Sequence, residues 1–163
     1  MQKCGNGWKL WVLISLSACG GKLTNTSGQF SSPLYPNNYP NDLLCKWQIT
    51  VPVGEQIKMD FRSFNLQSGS NCKYDFVLVQ DRKTPNSSLV DVGKYCGYNI
   101  PPSYLSTENE LHIQFKTDSW RNYKGFEISY VIYSNVNGTS CDNERRCSCL
   151  VGFFGLLCEG KCK

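Results

Sequence analysis

Residues 70–81, SNCKYDFVLVQD, decide the fold because they place a cysteine, an aromatic–acid pair and an apolar run side by side. The apolar run at 76–79 contains two β-branched residues and ends in polar ones, which predicts a strand buried on both faces rather than a helix. Asp75 stands one position ahead of that strand. We expect its carboxylate at the rim, where it is hydrated, hydrogen-bonded or metal-bound without entering the core. Asp75 is therefore the first functional candidate, and Cys72 is expected to be a structural anchor.

Alternating apolar and polar residues recur on both sides of this stretch, as antiparallel strands with one solvated face require. Such strands are predicted at residues 45–51, 57–62, 111–116 and 126–133. Residues 24–41 contain three prolines among polar residues and are expected to form a loop with one short strand. No helical stripe stands between residues 24 and 134, so the chain is predicted to be all-β. A sandwich is favoured over a barrel.

Composition points to an oxidising compartment. The chain has 163 residues, a formal net charge of +4 and ten cysteines, which are expected to form disulfides in a secreted protein. Asn25, Asn86 and Asn137 each begin an Asn-x-Ser/Thr sequon and are predicted glycosylation sites. The basic residues are scattered rather than clustered in a stripe, so nucleic acid is not expected as a partner.

Residues 1–17 are predicted to be a signal peptide. Lys3 and Lys9 precede an apolar stretch that is too short to span a bilayer, and cleavage after Ser17 would leave Ala18 first. The alternative is a first buried strand of the domain. No later segment is apolar enough to predict a membrane span.

Four cysteines bracket the predicted strands: Cys19, Cys45, Cys72 and Cys96. These four allow three disulfide connectivities from the residues alone. After a polar linker at 135–140, five more cysteines follow within a short segment: Cys141, Cys147, Cys149, Cys158 and Cys162. So short a segment cannot bury a core, and disulfides are expected to hold it.

Residues 19–133 resemble a CUB domain through eight motifs in order. The motifs are Gly-x-Phe-x-Ser-Pro-x-Tyr-Pro-x-x-Tyr-Pro at 28–40, Cys45-x-Trp47-x-Ile49, Pro52-x-Gly54, Phe61-x-x-Phe64-x-Leu66, Cys72-x-Tyr74-Asp75, Tyr95-Cys96-Gly97, Pro101 and Gly125-Phe126. The resemblance implies a jelly-roll-like antiparallel β-sandwich and disulfides between neighbours, Cys19–Cys45 and Cys72–Cys96. It also implies an extracellular binding module. We assign residues 18–134 to this domain.

Residues 141–163 resemble part of an EGF-like module, through Cys147-x-Cys149-x-x-Gly152-Phe153-x-Gly155-x-x-Cys158. The pairs Cys141–Cys147 and Cys149–Cys158 would follow from this resemblance and leave Cys162 over. Three partners stay open for Cys162: another chain, a following module, or Cys4 if the N-terminus is retained.

The CUB resemblance also implies one calcium ion, with Gln67, Asp75 and Asp118 at the ligand positions. Gln67 stands where the family carries Glu, and Arg121 stands where members often add an Asn, so the site has lost negative charge. Calcium nevertheless accepts amide oxygens. The alternative is that Asp75 and Asp118 organise loops through hydrogen bonds.

The surface around this site is the expected contact with an extracellular protein, reached through a basic side chain of that partner. Its predicted residues are Tyr74, Asp75, Asp118 and Trp120.

An enzyme is not predicted. The single histidine, His112, alternates with apolar neighbours and is expected on the wet face of a strand, and no nucleophile, metalloprotease or phosphate-binding motif is present in the sequence. The leading hypothesis is a secreted, non-catalytic protein-binding module. The alternatives are a structural matrix or coat component, or a non-catalytic fragment of a larger secreted protease or receptor.

Overall fold

The fold is taken from a computed structural model that describes residues 19–133, together with the backbone of residues 139–141, 147–149, 153–154 and 160–161. The predicted signal peptide at 1–17, which contains Cys4, residues 135–138 of the linker and the side chains of the five C-terminal cysteines lie outside the described residues. Within the described part of the chain, no helix is long and apolar enough to cross a membrane.

Two β-sheets make up the domain. The strands are β1 (Gly20–Leu23), β2 (Ser27–Ser31), β3 (Leu44–Thr50), β4 (Gln56–Asn65), β5 (Phe76–Arg82), β6 (Leu89–Tyr95), β7 (Tyr104–Leu105), β8 (Glu110–Lys116) and β9 (Gly125–Tyr133), with a 3₁₀ turn at Ser70–Cys72. One sheet has the order β1-β3-β8-β5-β6 and the other the order β2-β9-β4-β7. Every pairing is antiparallel except that of β1 with β3. The predicted all-β sandwich is confirmed.

The described backbone beyond residue 133 forms two short antiparallel pairs. They are β10 (Thr139–Cys141) with β11 (Cys147–Cys149), and β12 (Phe153–Phe154) with β13 (Gly160–Lys161). The register of the first pair sets Cys141 opposite Cys147.

The core lies between the two sheets, where β3, β4, β5, β8 and β9 bury alternate residues, with a shift in β4 at the bulge after Phe61. The buried side chains from β3, β4, β8 and β9 are Cys45, Trp47, Ile49, Ile57, Met59, Phe61, Phe64, Leu111, Ile113, Phe115, Phe126, Ile128 and Tyr130. Phe126 of β9 meets Phe115 and Trp47 of the facing sheet edge-on, with ring centroids 5.1 and 5.8 Å apart. The predicted alternation of residues 45–51 and 111–116 is therefore the pattern that fills the core.

The prediction that the strand after Asp75 is buried on both faces is wrong. Val77, Val79 and Asp81 are buried, whereas Phe76 and Leu78 are half-buried. β5 lies inside its sheet, between β8 and β6, but the second sheet covers only one of its faces. The strand also continues to Arg82.

Asp81 can be buried within β5 because its carboxylate accepts hydrogen bonds from the protein. Its Oδ2 accepts hydrogen bonds from Tyr104 Oη at 2.9 Å and from the Thr107 amide at 2.7 Å. A buried carboxylate with such partners avoids most of the cost of losing water. Burial and the bond to Asp81 raise the pKa of Tyr104 to about 12.

Disulfides join the neighbouring cysteines of the sandwich. Cys19 bonds to Cys45 and Cys72 bonds to Cys96, with Cα atoms 5.0 and 5.5 Å apart. The first ties the start of β1 to β3. The second ties the 3₁₀ turn to the end of β6, beside Asp75. The pairing implied by the resemblance is thus present for these four cysteines.

Strand register gathers several loops at one end of the sandwich. Phe76, at the start of β5, is paired with Lys116 at the end of β8, and Asn65 at the end of β4 is paired with Gly125 at the start of β9. Leu44, at the start of β3, is also paired with Lys116. We call this the loop end and define it as residues 32–43, 66–75, 96–98 and 117–124.

Replacing Phe126 with Ala tests the packing between the sheets. We expect Phe126→Ala to lower the free energy of unfolding by about 3–5 kcal/mol, since it removes a fully buried ring and leaves a cavity. Urea denaturation measures the change. Val53→Ala is the control because Val53 is 91% exposed, and its effect should stay within about 0.5 kcal/mol. Equal effects of the two substitutions would contradict this account of the core.

Candidate functional site

Asp75 lies at the centre of the loop end and is only 1% exposed. Its Oδ2 accepts a hydrogen bond from Tyr39 Oη at 2.6 Å, and its Oδ1 accepts one from the Asp118 amide at 2.8 Å. Of the states expected for this carboxylate at the rim (hydrated, hydrogen-bonded or metal-bound), the structure shows the hydrogen-bonded one, and the carboxylate is enclosed by the surrounding loops rather than open to water. Burial raises the pKa of Asp75. The bonds from Tyr39 and the Asp118 amide oppose the rise, whereas the charge of Asp118 adds to it.

Tyr39 holds two loops to each other through one hydroxyl group. The hydroxyl donates to Asp75 and accepts a hydrogen bond from the Gln67 amide at 3.1 Å. Its ring packs edge-on against Phe115 of the core, with centroids 5.2 Å apart. Burial, followed by the bond to Asp75, raises the pKa of Tyr39 well above its ordinary value. Because this buried hydroxyl both donates and accepts a hydrogen bond, the Tyr39 side chain is held in one position.

Gln67 joins the loop at 66–75 to the loop at 117–124. Its side chain is buried, and with its nitrogen turned towards the second loop it donates to the Trp120 carbonyl at 2.8 Å and to Asp118 Oδ1 at 3.3 Å. Asp118 Oδ1 also accepts from the Trp120 amide at 2.7 Å. The three residues placed at the predicted calcium site therefore lie together: Gln67 and Asp75 both contact Asp118.

The outer surface of the loop end carries aromatic and cationic side chains. Trp120 is 73% exposed, Tyr98 77% and Tyr74 37%. Lys73 places its ammonium 4.6 Å from the centroid of the Tyr74 ring. Arg121 and Lys124 are also exposed. Of the four residues predicted to face a partner, Tyr74 and Trp120 are exposed, Asp118 is half-buried and Asp75 is enclosed.

Two residues of the site were not predicted from the sequence. Tyr39 belongs to the motif at 28–40, but the motif does not show which carboxylate the hydroxyl meets. Tyr98 follows Cys96 in a loop of Gly, Asn and Pro residues, and an isolated aromatic in such a loop was the available clue.

The oxygen atoms of this site are of the types that calcium binds, but few of them are charged. Within residues 19–133, no three His, Cys, Asp or Glu side chains come together as a metal cluster would require. If the Gln67 amide is rotated by half a turn, its oxygen faces Asp118 Oδ1 and the Trp120 carbonyl oxygen. Calcium accepts carboxylate, amide and carbonyl oxygens. The carboxylate oxygens of Asp75 each keep a second acceptor direction beside their present hydrogen bonds.

His112 lies on the outer face of β8, as predicted, and is half-buried. Its ring contacts the carboxylate of Glu110, which also pairs with Arg82 at 3.5 Å. Burial is the largest influence on Glu110 and raises its pKa, but the combined pull of His112 and Arg82 lowers the pKa overall. This cluster is an ion-paired patch on one sheet face.

Two facing antiparallel sheets, two neighbour disulfides and loops locked around a buried carboxylate define a disulfide-bonded β-sandwich module. The family model for the CUB domain matches residues 19–130. The chain therefore belongs to the CUB domain family, and its resemblance to that family is confirmed.

Curated relatives share this region. The chain is 35% identical over 131 residues to human membrane frizzled-related protein, covering 80% of this chain and 22% of the relative. It is 38% identical over 136 residues to human CUB and zona pellucida-like domain-containing protein 1, covering 81% and 22%. Cubilin from dog is 42% identical over 113 residues, covering 69% and 3%. The chain thus spans less than a quarter of the length of these relatives.

Solved structures share the fold. The extracellular region of zebrafish Gpr126/Adgrg6 superposes with a TM-score of 0.63 at 35% identity, covering 71% of this chain and 15% of that one. The MASP-1 CUB2 domain bound to Ca²⁺ superposes with a TM-score of 0.61 at 25% identity, covering 70% and 99%.

The raised pKa of Asp75 makes the stability of the loop end depend on pH. The native state holds the Asp75 proton more tightly than the unfolded chain does. The contribution of Asp75 to the free energy of unfolding therefore falls as the pH rises from its ordinary pKa of 3.8 through its raised pKa in the native state. We expect the free energy of unfolding of the wild type, relative to Asp75→Asn, to decrease with rising pH and then level off. Urea denaturation of both proteins with a chelator, from about pH 4 to about pH 7, measures the difference. A difference that grows with pH would contradict the burial of an ionised carboxylate.

Proposed function

We propose that this chain is a secreted, non-catalytic module that recognises an extracellular protein through the loop end of its sandwich. Membership of the CUB family and the fold shared with the extracellular region of zebrafish Gpr126/Adgrg6 support the extracellular binding role. The disulfides fit an oxidising compartment. Asn25 and Asn86 are exposed, which leaves both sequons open to glycosylation.

The observation that carries this proposal is the state of Trp120. Its side chain is largely exposed, yet its amide and carbonyl both bond to the Asp118–Gln67 pair. An exposed indole on a fixed backbone loses little conformational freedom on binding, and Trp is among the residues that dominate protein interfaces. Tyr98 and Tyr74 add aromatic surface on neighbouring loops.

Removing the indole tests the location of the binding surface. The immobilised chain is incubated with extracellular extract, and retained proteins are compared between wild type, Trp120→Ala and Val53→Ala. We expect Trp120→Ala to weaken the binding of the retained partner about 30-fold. This corresponds to a loss of about 2 kcal/mol of binding free energy, which is typical of removing a central aromatic side chain. Val53 lies in the turn after β3, at the opposite end of the sandwich, so Val53→Ala should bind normally. Equal retention by both variants would place the interface elsewhere.

We further propose that calcium assists this surface as a weak ligand. Gln67, Asp75 and Asp118 would hold the ion, with the Trp120 carbonyl as a further oxygen. When bound, calcium would supply positive charge that draws these oxygens together. The support is the oxygen chemistry of the site and the calcium-bound MASP-1 CUB2 relative.

Gln67→Glu tests the calcium proposal by supplying the missing charge. With chelator, we expect Gln67→Glu to melt below the wild type, since it loses two amide hydrogen bonds and adds a carboxylate beside Asp118. With calcium at about 5 mM, the melting temperature should rise in both proteins, and the affinity of the variant should be about tenfold higher.

Gln48→Glu, on the outer face of β3, is the matched control, and its response to calcium should equal that of the wild type. Identical melts of the wild type with calcium and chelator would reject calcium on this chain. If Gln67→Glu alone responds, the amide has removed a site that the carboxylate restores.

We also propose that residues 135–140 are a linker and that residues 141–163 form a partial EGF-like segment. The antiparallel register that sets Cys141 opposite Cys147 supports the predicted pairing of these two cysteines. The Cys149–Cys158 pair and the partner of Cys162 remain predictions.

A further inference from the structure

The exposed charges of the loop end are mainly cationic, with Lys73, Arg121 and Lys124 against one exposed acid, Asp42. Asp75 is enclosed and both of its oxygens accept hydrogen bonds from within the protein. Asp118 is half-buried, and its Oδ1 accepts from the Trp120 amide. The fully exposed charged side chains of the loops at 66–75 and 117–124 are Lys73, Arg121 and Lys124. A partner meets positive charge here before it meets either carboxylate.

These cations are not neutralised by carboxylates of the described chain. Within residues 19–133, the ion pairs are those of Glu110 with Arg82 and His112, on the outer face of a sheet. Asp42 is the exposed acid of the neighbouring loop at 32–43. The loop end therefore keeps a net positive outer surface.

Aromatic rings hold two lysines in place, Lys73 of the loop end and Lys94 at the adjoining end of β6. Lys73 lies over Tyr74, and Lys94 lies over Phe76 with its ammonium 4.1 Å from the ring centroid. The ammonium of Lys94 also donates to the Asn71 carbonyl at 3.4 Å. Both lysines flank the 3₁₀ turn that the Cys72–Cys96 disulfide fixes. A lysine already restrained in this way loses less side-chain freedom when it binds an anion.

We propose that the loop end binds an acidic segment of an extracellular protein. This inference rests on the proposed function and names the chemistry of its partner. Carboxylates of the segment would pair with Lys73, Lys94 and Arg121, and its apolar side chains would pack on Trp120 and Tyr98. The partner is the opposite of the basic side chain that the family resemblance implies.

A protein segment fits this surface better than a sulfated glycan does. Cations and exposed aromatic rings occur together here: Lys73 lies over Tyr74, Arg121 follows Trp120 in the sequence, and Tyr98 adds a third exposed ring. Such a mixture of Arg, Lys, Tyr and Trp is typical of protein interfaces, in which aromatic anchors supply most of the affinity. A polyanionic chain would instead be matched by a continuous row of basic groups.

The test is selection from a displayed library of random dodecapeptides on the immobilised full-length chain. We expect the enriched peptides to carry net negative charge with aromatic or Leu residues. A selected peptide should bind the Lys73→Glu/Arg121→Glu double variant at least tenfold more weakly than the wild type. Lys83→Glu reverses a charge in the turn after β5, at the opposite end of the sandwich, and should bind within twofold of the wild type. Equal melting temperatures of the variants confirm that they fold.

Each other outcome overturns the inference in a distinguishable way. Enrichment of basic peptides that depend on Asp118 rejects the acidic partner but keeps the proposed function. Binding of heparin that is lost in the double variant, without any enriched acidic peptide, assigns the cations to an anionic glycan. Peptides that bind the wild type, Trp120→Ala and the Lys73→Glu/Arg121→Glu variant equally reject the loop end as the recognition surface, and with it both proposals.

Discussion

The buried carboxylate of Asp75 is the interaction on which the loop end depends. A carboxylate that has lost its water must receive hydrogen bonds from the protein, and here the donors come from two other loops: the Tyr39 hydroxyl and the Asp118 amide. The loops at 32–43, 66–75 and 117–124 can therefore satisfy Asp75 only when they meet. One polar group thus joins segments through contacts that span 36 and 43 positions of the sequence.

The sheet architecture could be predicted wherever the relevant pattern is local. Alternation in residues 45–51 and 111–116 gives the strand and its buried face together, because side chains along a strand alternate by geometry. β1, β6 and β7 were not predicted. Gly20 and Gly21 give β1 no alternating face, and β6 pairs with β5 across a register shift at Val79 and Gln80. β1 and β7 are defined by partners distant in sequence, β3 and β4, which a single-strand pattern does not reveal.

The sequence predicted which residues form the site, but it did not predict which of them are buried. The family motifs placed Gln67, Asp75 and Asp118 together, and the loops do bring them into contact. The motifs could not show that Tyr39 encloses Asp75, because that contact joins residues 36 positions apart and depends on how the loop at 32–43 folds. The same uncertainty applied to the strand that follows Asp75. An apolar run predicts a strand, but which faces are covered depends on the second sheet.

The identity of residue 67 then changes what holds these loops together. Three carboxylates in this space would repel one another, and a cation would be needed to bring them close. Gln67 removes one of the charges and supplies two N–H donors, which bond to Asp118 and to the Trp120 carbonyl. The Gln67 amide thus helps to hold the two loops together, as a bound cation would do between carboxylates. Because hydrogen bonds within the chain join these loops, the exposed cations and rings around them are displayed in a fixed arrangement. On the proposal of an acidic partner, that partner would contact the outer surface of Lys73, Arg121 and Trp120 rather than the enclosed Asp75.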